Sequence, residues 1–311
     1  MIPSVDMPFN GIYASVVCPM RADASLDEAA LAEHIRSILS TDGLVGILCN
    51  GHAGESFSLT REERRRVVEI AATTARDRAI IVCGINAESG FDAQLHAADA
   101  KRAGADAVLI FPPFSWSLCQ DDRVAYTHHA MVDQTVHMPM MLYQAGVRAG
   151  ALAYTPDVLR RLLTLPNIVG IKEGSWETSA YEATRRLVKG AAPGVSVMAS
   201  GDEHLFTCFA IGSDGSQVSL AVLVPEVIVA LDRAIRRNDL PAARALHERL
   251  YPLARAIYGT RPSSHATARL KACLRLLGRL DCDRTRPPVG PLGRAELSML
   301  EGALREAGLM C

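Results

Sequence analysis

The stretch Pro166-Asn167-Ile168-Val169-Gly170-Ile171-Lys172-Glu173-Gly174 has the pattern of a short apolar strand that ends in a lysine. Burying an ammonium group costs free energy unless it loses its proton or finds a partner. Desolvation lowers the pKa of a lysine, and a neutral amine is a nucleophile toward carbonyl carbons. The stretch therefore makes Lys172 a candidate catalytic nucleophile. The alternative is a lysine at a strand end that reaches solvent.

Lysine is rare in this chain, which sets Lys172 apart. Only four of the 33 basic residues are lysines, and the others are arginines. Lys101 and Lys189 each come shortly before a glycine, where a cation suits the end of a helix. Lys271 falls in a helical pattern with other basic residues. We therefore expect Lys172 to be the one lysine without a routine structural role.

The overall composition is that of an ordinary globular protein. Of the 311 residues, 49% are hydrophobic and 22% are charged, and the net charge of −1 gives no reason to expect a nucleic acid or membrane partner. The eight cysteines include no Cys-x-x-Cys pair, so we expect a reducing, cytoplasmic setting without disulfides. Residues 1–10 lack the features of a signal peptide. No apolar run approaches the ~20 residues of a membrane span.

Strand and helix patterns alternate along most of the chain. Between Gly11 and Arg236 they form eight strand–helix units, which fits a (β/α)8 TIM barrel. A doubly wound open sheet has the same alternation, but no Gly-x-Gly-x-x-Gly follows the first strand. We predict residues 1–236 as the barrel and residues 237–311 as a C-terminal helical appendage. Its predicted helices are Leu240–Tyr258, Ala266–Leu277 and Arg294–Ala307.

Two predicted helices have clear starting signals. Thr60, with Glu63 three residues later, forms a capping-box pattern. Thr155 comes directly before Pro156, which suits the first position of a helix. Both signals follow predicted strands, as the barrel interpretation requires.

In a (β/α)8 barrel the active site lies at the C-terminal ends of the strands. The residues predicted there offer a nucleophile, a phenol, a glycine-rich loop and an arginine. They include no His-x-His or His-Glu-x-x-His pattern for a metal. Schiff-base chemistry is what such groups support without a cofactor. The residues are Cys18, Gly51 to Glu55, Phe111 to Phe114, Tyr143, Arg148, Lys172, Gly201 to Glu203 and Ser216 to Ser219.

Four motifs occur in order along the chain: Gly51-x-x-Gly54-Glu55-Ser56, Tyr143 with Arg148, Gly170-Ile171-Lys172-Glu173 and Ser200-Gly201-Asp202. Together they resemble the dihydrodipicolinate synthase / N-acetylneuraminate lyase family, and the similarity extends into the C-terminal helices. Members of this family are Schiff-base-forming class I aldolases and lyases. The resemblance implies a TIM barrel, a lyase that needs no cofactor or metal, and a homotetramer or dimer.

The resemblance implies a role for each motif. Lys172 attacks the C2 carbonyl of pyruvate or a related 2-oxo acid, and the protonated imine then serves as an electron sink. Tyr143 shuttles protons near the imine carbon. The loop Gly51 to Gly54 presents backbone N–H groups to the substrate carboxylate. Arg148 matches the arginine that the synthases use for a second substrate carboxylate.

Further candidates lie after the last strands and within the glycine loop. Asp202 and Glu203 match an acidic pair that sialic acid lyases use on substrate hydroxyls, and Gln217 and Ser219 are expected to line the same side. For Asp202 the alternative is a helix N-cap. We expect Glu55 to be a structural acceptor for loop N–H groups.

The chain departs from the synthase pattern at three proton-relay and binding positions. His52 and Ala53 stand where the synthases carry two threonines, and Phe114 stands where they carry a second relay tyrosine. His52 either replaces the lost hydroxyls as an acid/base or is a packed or solvated histidine. Gln144, Ala145 and Gly146 also replace the Asn-Val-Pro that follows the tyrosine. We therefore expect that the chain is not the lysine-pathway synthase.

The sequence thus predicts a lyase or aldolase that acts on a 2-oxo acid of the pyruvate type. A dehydratase, hydratase-aldolase or deaminase of a 2-oxo-3-deoxy acid would use the same imine. A non-catalytic barrel that binds sugar acids is the alternative from another class. A metal-dependent aldolase is disfavoured by the absent ligand motif.

Overall fold

The computed structural model describes residues 9–118 and 121–311. Its strands are all parallel and form one closed barrel in sequence order, with the last strand paired to the first. The predicted (β/α)8 barrel is confirmed, and the alternative of a doubly wound open sheet is wrong. We expect no signal peptide in residues 1–10. Residues 1–8 of this segment lie outside the described residues. The strands are β1 (Gly11–Ser15), β2 (Leu44–Cys49), β3 (Ile80–Ile85), β4 (Ala107–Ile110), β5 (Met140–Gln144), β6 (Ile168–Glu173), β7 (Ser196–Ala199) and β8 (Gly215–Val218).

Helices connect consecutive strands and cover the outside of the barrel. In the described part of the chain four more helices follow the last strand, and the first two of them pack against each other. None of the described helices has the length and hydropathy to cross a membrane. The helices are α1 (Glu28–Leu39), α2 (Arg61–Ala75), α3 (Gly90–Arg102), α4 (Asp122–Val136), α5 (Pro156–Leu162), α6 (Thr178–Ala191), α7 (Leu205–Ala210), α8 (Pro225–Arg236), α9 (Leu240–Ile257), α10 (Ala266–Leu276) and α11 (Arg294–Glu306).

Alternation along each strand divides the apolar residues into two cores. One core lies between the strands and the helices, and the other fills the inside of the barrel. Because the inner core is packed, polar side chains that point inward from the strand ends lie in the mouth above it. The inner core consists of Tyr13, Leu48, Val82, Ala107, Leu109, Phe111, Met141 and Met198.

Both predicted helix starts are confirmed. The Thr60 side chain accepts a hydrogen bond from the Glu63 N–H (3.2 Å), and Glu63 accepts one from the Thr60 N–H (2.9 Å). At α5 the Thr155 hydroxyl accepts from the Val158 N–H at 3.3 Å. These caps fix where the loops after β2 and β5 return to the outer layer.

Several element boundaries differ from the sequence pattern, which predicts a first strand to Val17, a helix from Trp176 and a helix that starts near Asp202. Strand β1 ends at Ser15 rather than Val17. Helix α6 begins at Thr178 because Trp176 has a φ of +61°, which is not helical. The chain near Asp202 forms a short 3₁₀ turn, and α7 begins after it at Leu205.

We expect Gly46→Ala to destabilise the barrel. A Cβ at Gly46 would lie 2.6 Å from the Ile80 carbonyl oxygen and would overlap the Tyr13 ring. Overpacking of this kind costs roughly 1–3 kcal/mol. The urea midpoint should therefore fall. Gly190→Ala is the matched control, because nothing lies within 4 Å of the added Cβ and the site is helical, so its midpoint should stay or rise.

Candidate active site

Lys172 occupies the second-last position of β6 and reaches across the barrel mouth. Its Nζ donates a hydrogen bond to the Ser15 hydroxyl of β1 at 3.3 Å, and only 8% of the residue is exposed. Burial lowers the pKa of Lys172 to about 8, while the Asp202 carboxylate opposes this shift. The amine is therefore out of bulk water and can lose its proton near neutral pH.

Tyr143 stands beside this lysine on the neighbouring strand. The Cα atoms of Tyr143 and Lys172 are direct partners in the β5–β6 register. Burial, and next the Glu173 carboxylate, raise the pKa of Tyr143 to about 12, so the phenol stays protonated at working pH. A Cβ at Gly174 would lie 3.0 Å from the Tyr143 hydroxyl oxygen, which explains the glycine there. An amine and a phenol thus share one space at the mouth.

An aromatic cluster forms the wall next to Tyr143. The His52 ring lies 4.4 Å from the Phe111 ring and 5.5 Å from the Tyr143 ring, measured between centroids. Burial, and next the Lys172 cation, lower the pKa of His52 to about 4. His52 is therefore neutral at working pH. The structure favours a packed aromatic ring over an acid/base whose pKa lies near neutrality.

The residues Gly51 to Glu55, here the glycine loop, make a tight turn after β2. The Gly54 N–H bonds to the Gly51 carbonyl (3.1 Å) and the Glu55 N–H to the His52 carbonyl (3.0 Å). Among the described residues of this loop, the N–H groups of Gly51, His52 and Ala53 have no hydrogen-bond acceptor. These groups are the donors left for a substrate carboxylate. We also expected the Gly54 N–H to donate to the substrate carboxylate, but this group bonds to the Gly51 carbonyl and closes the turn.

Arg148 lies in an irregular segment, Val147–Leu152, after β5, and its side chain is exposed. It is therefore not part of the buried cluster around Lys172. The Gln144 side chain links the two ends of the segment after β5 by hydrogen bonds. Its Oε1 accepts from the Tyr154 N–H (3.0 Å), and its Nε2 donates to the Tyr154 carbonyl (3.1 Å). Gln144 thus has a structural role in this segment.

Asp202 and Ser219 lie on the side of the mouth opposite the aromatic cluster. Asp202 does not cap a helix as the alternative proposed, because its carboxylate accepts from the Leu220 N–H at 2.8 Å. Burial raises the pKa of Asp202 to about 7, against the Leu220 hydrogen bond and the Lys172 cation. The Ser219 hydroxyl is 2.6 Å from that of Tyr258. Glu203, the second acid, pairs with Arg255 at 3.2 Å.

Gln217 lies one layer deeper than the other candidates. It is fully buried, and its Nε2 donates to the Met141 sulfur at 3.2 Å. Met141 is the register partner of Gly170, two residues before Lys172. The structure thus places Gln217 beneath the lysine rather than at the mouth, and its contact with substrate stays a prediction.

Sequence reasoning missed three residues. Ser15 holds Lys172, and the period of two along β1 that points Tyr13 inward would have indicated it. Tyr258 lies near Asp202 and Ser219, and no local pattern marks it. Lys271 is fully buried in an ion pair with Glu55. The expectation that only Lys172 lacks a routine role was therefore wrong.

The site has no metal-binding cluster in the part of the chain that the structure describes. His128 and His129 are buried in α4, and the ring of His129 bonds to the Ala125 carbonyl (2.8 Å) and the Tyr154 hydroxyl (3.1 Å). The groups at the mouth are a buried amine and a protonated phenol, which are chemically able to act as a nucleophile and a proton donor.

The chain is similar to known proteins along nearly its whole length. The dihydrodipicolinate synthetase family matches residues 8–307. A 4-hydroxy-tetrahydrodipicolinate synthase from Acidiphilium cryptum is 31% identical over 304 residues, which cover 97% of this chain and 99% of the relative. The enzyme of that name from Phenylobacterium zucineum is 31% identical over 312 residues, covering 98% and 100%. Both matches thus extend over the barrel and the helices that follow it.

Solved structures agree with this relationship. A prophage protein of the dihydrodipicolinic acid synthase family from E. coli K12, in complex with pyruvate, has a TM-score of 0.88 and 26% identity, covering 97% of this chain and 99% of that one. A dihydrodipicolinate synthase from Thermotoga maritima has a TM-score of 0.89 at 23% identity, covering 98% and 100%, which shows the shared fold. The chain belongs to the dihydrodipicolinate synthetase family, whose members are metal-independent lyases of the class I aldolase type that form a Schiff base with a lysine.

Proposed function

We propose that the chain is a Schiff-base-forming lyase or aldolase of a 2-oxo acid of the pyruvate type. The observation that carries this proposal is the buried Lys172 amine, whose pKa is lowered to about 8 and whose register partner is Tyr143. The free N–H groups of the glycine loop, among them those of His52 and Ala53, support a carboxylate on the substrate. Family membership supports the covalent chemistry.

In the proposed reaction, the neutral Lys172 amine attacks C2 of the 2-oxo acid, and loss of water gives a protonated imine. This cation withdraws electrons from C3, so that a bond between C3 and C4 breaks or forms. The Tyr143 phenol transfers the protons that these steps require. The substrate carboxylate accepts from the His52 and Ala53 N–H groups, and Asp202 and Ser219 bind the remaining hydroxyls. No cofactor takes part.

Borohydride reduction in the presence of pyruvate, followed by peptide mass mapping, tests this proposal. We expect one reduced adduct, on the peptide that contains Lys172. The buried Lys271 is an internal control, because its ion pair with Glu55 leaves the amine without access to pyruvate. The absence of an adduct on Lys172 would refute the proposal.

The identity of the second substrate is a separate question from formation of the imine. The names of the relatives do not support our exclusion of the lysine-pathway synthase. Ala53 still offers no hydroxyl, and Phe114 is 53% exposed without one. We therefore propose aldol chemistry and assign no particular second substrate as the acceptor. Product analysis with the substrates of 4-hydroxy-tetrahydrodipicolinate synthase and with 2-oxo-3-deoxy acids distinguishes a synthase from a retro-aldolase, dehydratase or deaminase.

The rate of imine formation should depend on the proton of Lys172. Only the neutral amine attacks, so the initial rate of adduct formation should rise with pH, reach half its maximum near pH 8 and then level off. Asp202→Asn removes the carboxylate that raises the pKa of Lys172, so the midpoint should move to lower pH. Glu203→Gln, a neighbouring neutralisation, should leave it in place. A midpoint above about pH 10 in the unmodified protein would contradict the assignment.

Three further expectations stay proposals. We propose a homotetramer or dimer, which light scattering tests, and a monomer would contradict it. We also propose a cytoplasmic location, which cell fractionation tests. The division into a barrel at residues 1–236 and a helical part at residues 237–311 is tested by limited proteolysis, with cleavage expected near residue 237.

A further inference from the structure

The glycine loop is anchored from the C-terminal part of the chain. Lys271 of α10 pairs with Glu55, 216 positions away in the sequence, and donates a second hydrogen bond to the Arg284 carbonyl at 2.8 Å. Lys271 has no exposed surface, and Glu55 is 5% exposed. A buried charge without its partner is strongly unfavourable, so each of these residues fixes the position of the other.

Glu55 has an unusual backbone conformation that makes this anchor necessary. Its φ of +54° lies in the left-handed region, which non-glycine residues adopt only where the surroundings hold them. The second oxygen of its carboxylate accepts a hydrogen bond from the Arg286 N–H at 2.9 Å. The turn that leaves the His52 and Ala53 N–H groups without an acceptor thus ends at a residue held through both carboxylate oxygens.

Arg286, in the segment after α10, contacts the residues that follow the glycine loop. Its guanidinium makes a two-pronged pair with Glu63, at 2.6 and 2.5 Å, and donates to the Ser58 carbonyl at 2.9 Å. On the near side, the Thr267 hydroxyl donates to the His52 carbonyl at 3.5 Å. Contacts from α10 and from the segment after it therefore hold the loop at both ends, from His52 to the first turn of α2.

We propose that Lys271 is a positioning residue that, through Glu55, holds the His52 and Ala53 N–H groups where they bind the substrate carboxylate. This inference rests on the proposed function. Lys271 does not touch the reacting atoms, and its effect reaches the substrate through the shape of the glycine loop. Loss of the anchor should therefore weaken binding of the 2-oxo acid more than it slows the steps at Lys172.

The test compares Lys271→Met with Lys189→Met. Lys189 also pairs with a carboxylate, Asp214 at 2.7 Å, but Asp214 precedes β8 at the opposite end of the barrel. For Lys271→Met we expect the pyruvate concentration that half-saturates adduct formation to rise about tenfold or more, with a maximal rate within about threefold of the parent. Lys189→Met should change neither quantity. Lys271→Arg should restore most of the affinity, because the guanidinium keeps the charge.

A second variant covers the case in which Lys271→Met does not fold. Glu55→Gln combined with Lys271→Met removes both buried charges at once, and the new amide oxygen can still accept from the Arg286 N–H. The double variant should fold and should also need more pyruvate for half-saturation. Unchanged half-saturation in either folded variant overturns the positioning role alone. Absence of an adduct in the parent protein overturns the proposed function and this inference together.

Discussion

Lys172→Ala is expected to abolish turnover and the borohydride-trapped adduct with pyruvate. The loss should be at least about 1,000-fold, which corresponds to about 4 kcal/mol of transition-state stabilisation. The reason is that imine formation requires an amine: the phenol of Tyr143 stays protonated, and the Ser15 hydroxyl that Lys172 contacts in the parent protein cannot form an imine. Turnover assays and peptide mass mapping measure both effects.

The controls for this substitution separate chemistry from folding. Lys172→Arg keeps the positive charge, but its guanidinium does not lose a proton, so it should be as inactive as the alanine variant. Lys101→Ala removes a lysine at the end of α3 that donates to the Val136 carbonyl, and it should keep full activity. An active Lys172→Ala variant would show that the protein does not work through this amine.

Tyr143→Phe is expected to lower kcat by roughly 10²- to 10⁴-fold, the usual contribution of a positioned acid or base. The ring remains, so its packing against His52 and Phe111 should persist and the KM for pyruvate should change little. The adduct on Lys172 should still form, but more slowly. Steady-state kinetics together with the rate of trapping provide the measurement.

Tyr251→Phe serves as the matched control, because Tyr251 is half exposed on α9 and its ring contacts His247 rather than a group of the mouth. It should retain the activity of the parent protein. A Tyr143→Phe variant with unchanged kcat would exclude the phenol from proton transfer. The Asp202 and Tyr258 side of the mouth would then be the place to look for the acid.

The fold was predictable because its signals are local. Alternating strands and helices, the Thr60 capping box and the lysine at the end of an apolar strand each lie within a few residues. The left-handed φ of Trp176 was not predictable in this way, because a non-glycine residue in that conformation is held by tertiary contacts. Helix boundaries therefore shifted by a few residues while the barrel itself was correct.

The site was predictable only where a single strand or loop carries it. Lys172, Tyr143 and the glycine loop follow from strand ends and from the family resemblance. The ion pair between Lys271 and Glu55 joins residues 216 positions apart, so no local pattern marks it. The sequence left the role of His52 open, because no local pattern shows that its ring packs against Phe111 and that burial lowers its pKa.

A crystal structure of the protein soaked in pyruvate tests the central claim most directly. We predict continuous electron density from Lys172 Nζ to C2 of the former keto acid. We also predict the carboxylate on the His52 and Ala53 N–H groups and the Tyr143 hydroxyl beside the imine. A free Lys172 still bonded to Ser15, with pyruvate elsewhere or absent, would contradict the covalent mechanism.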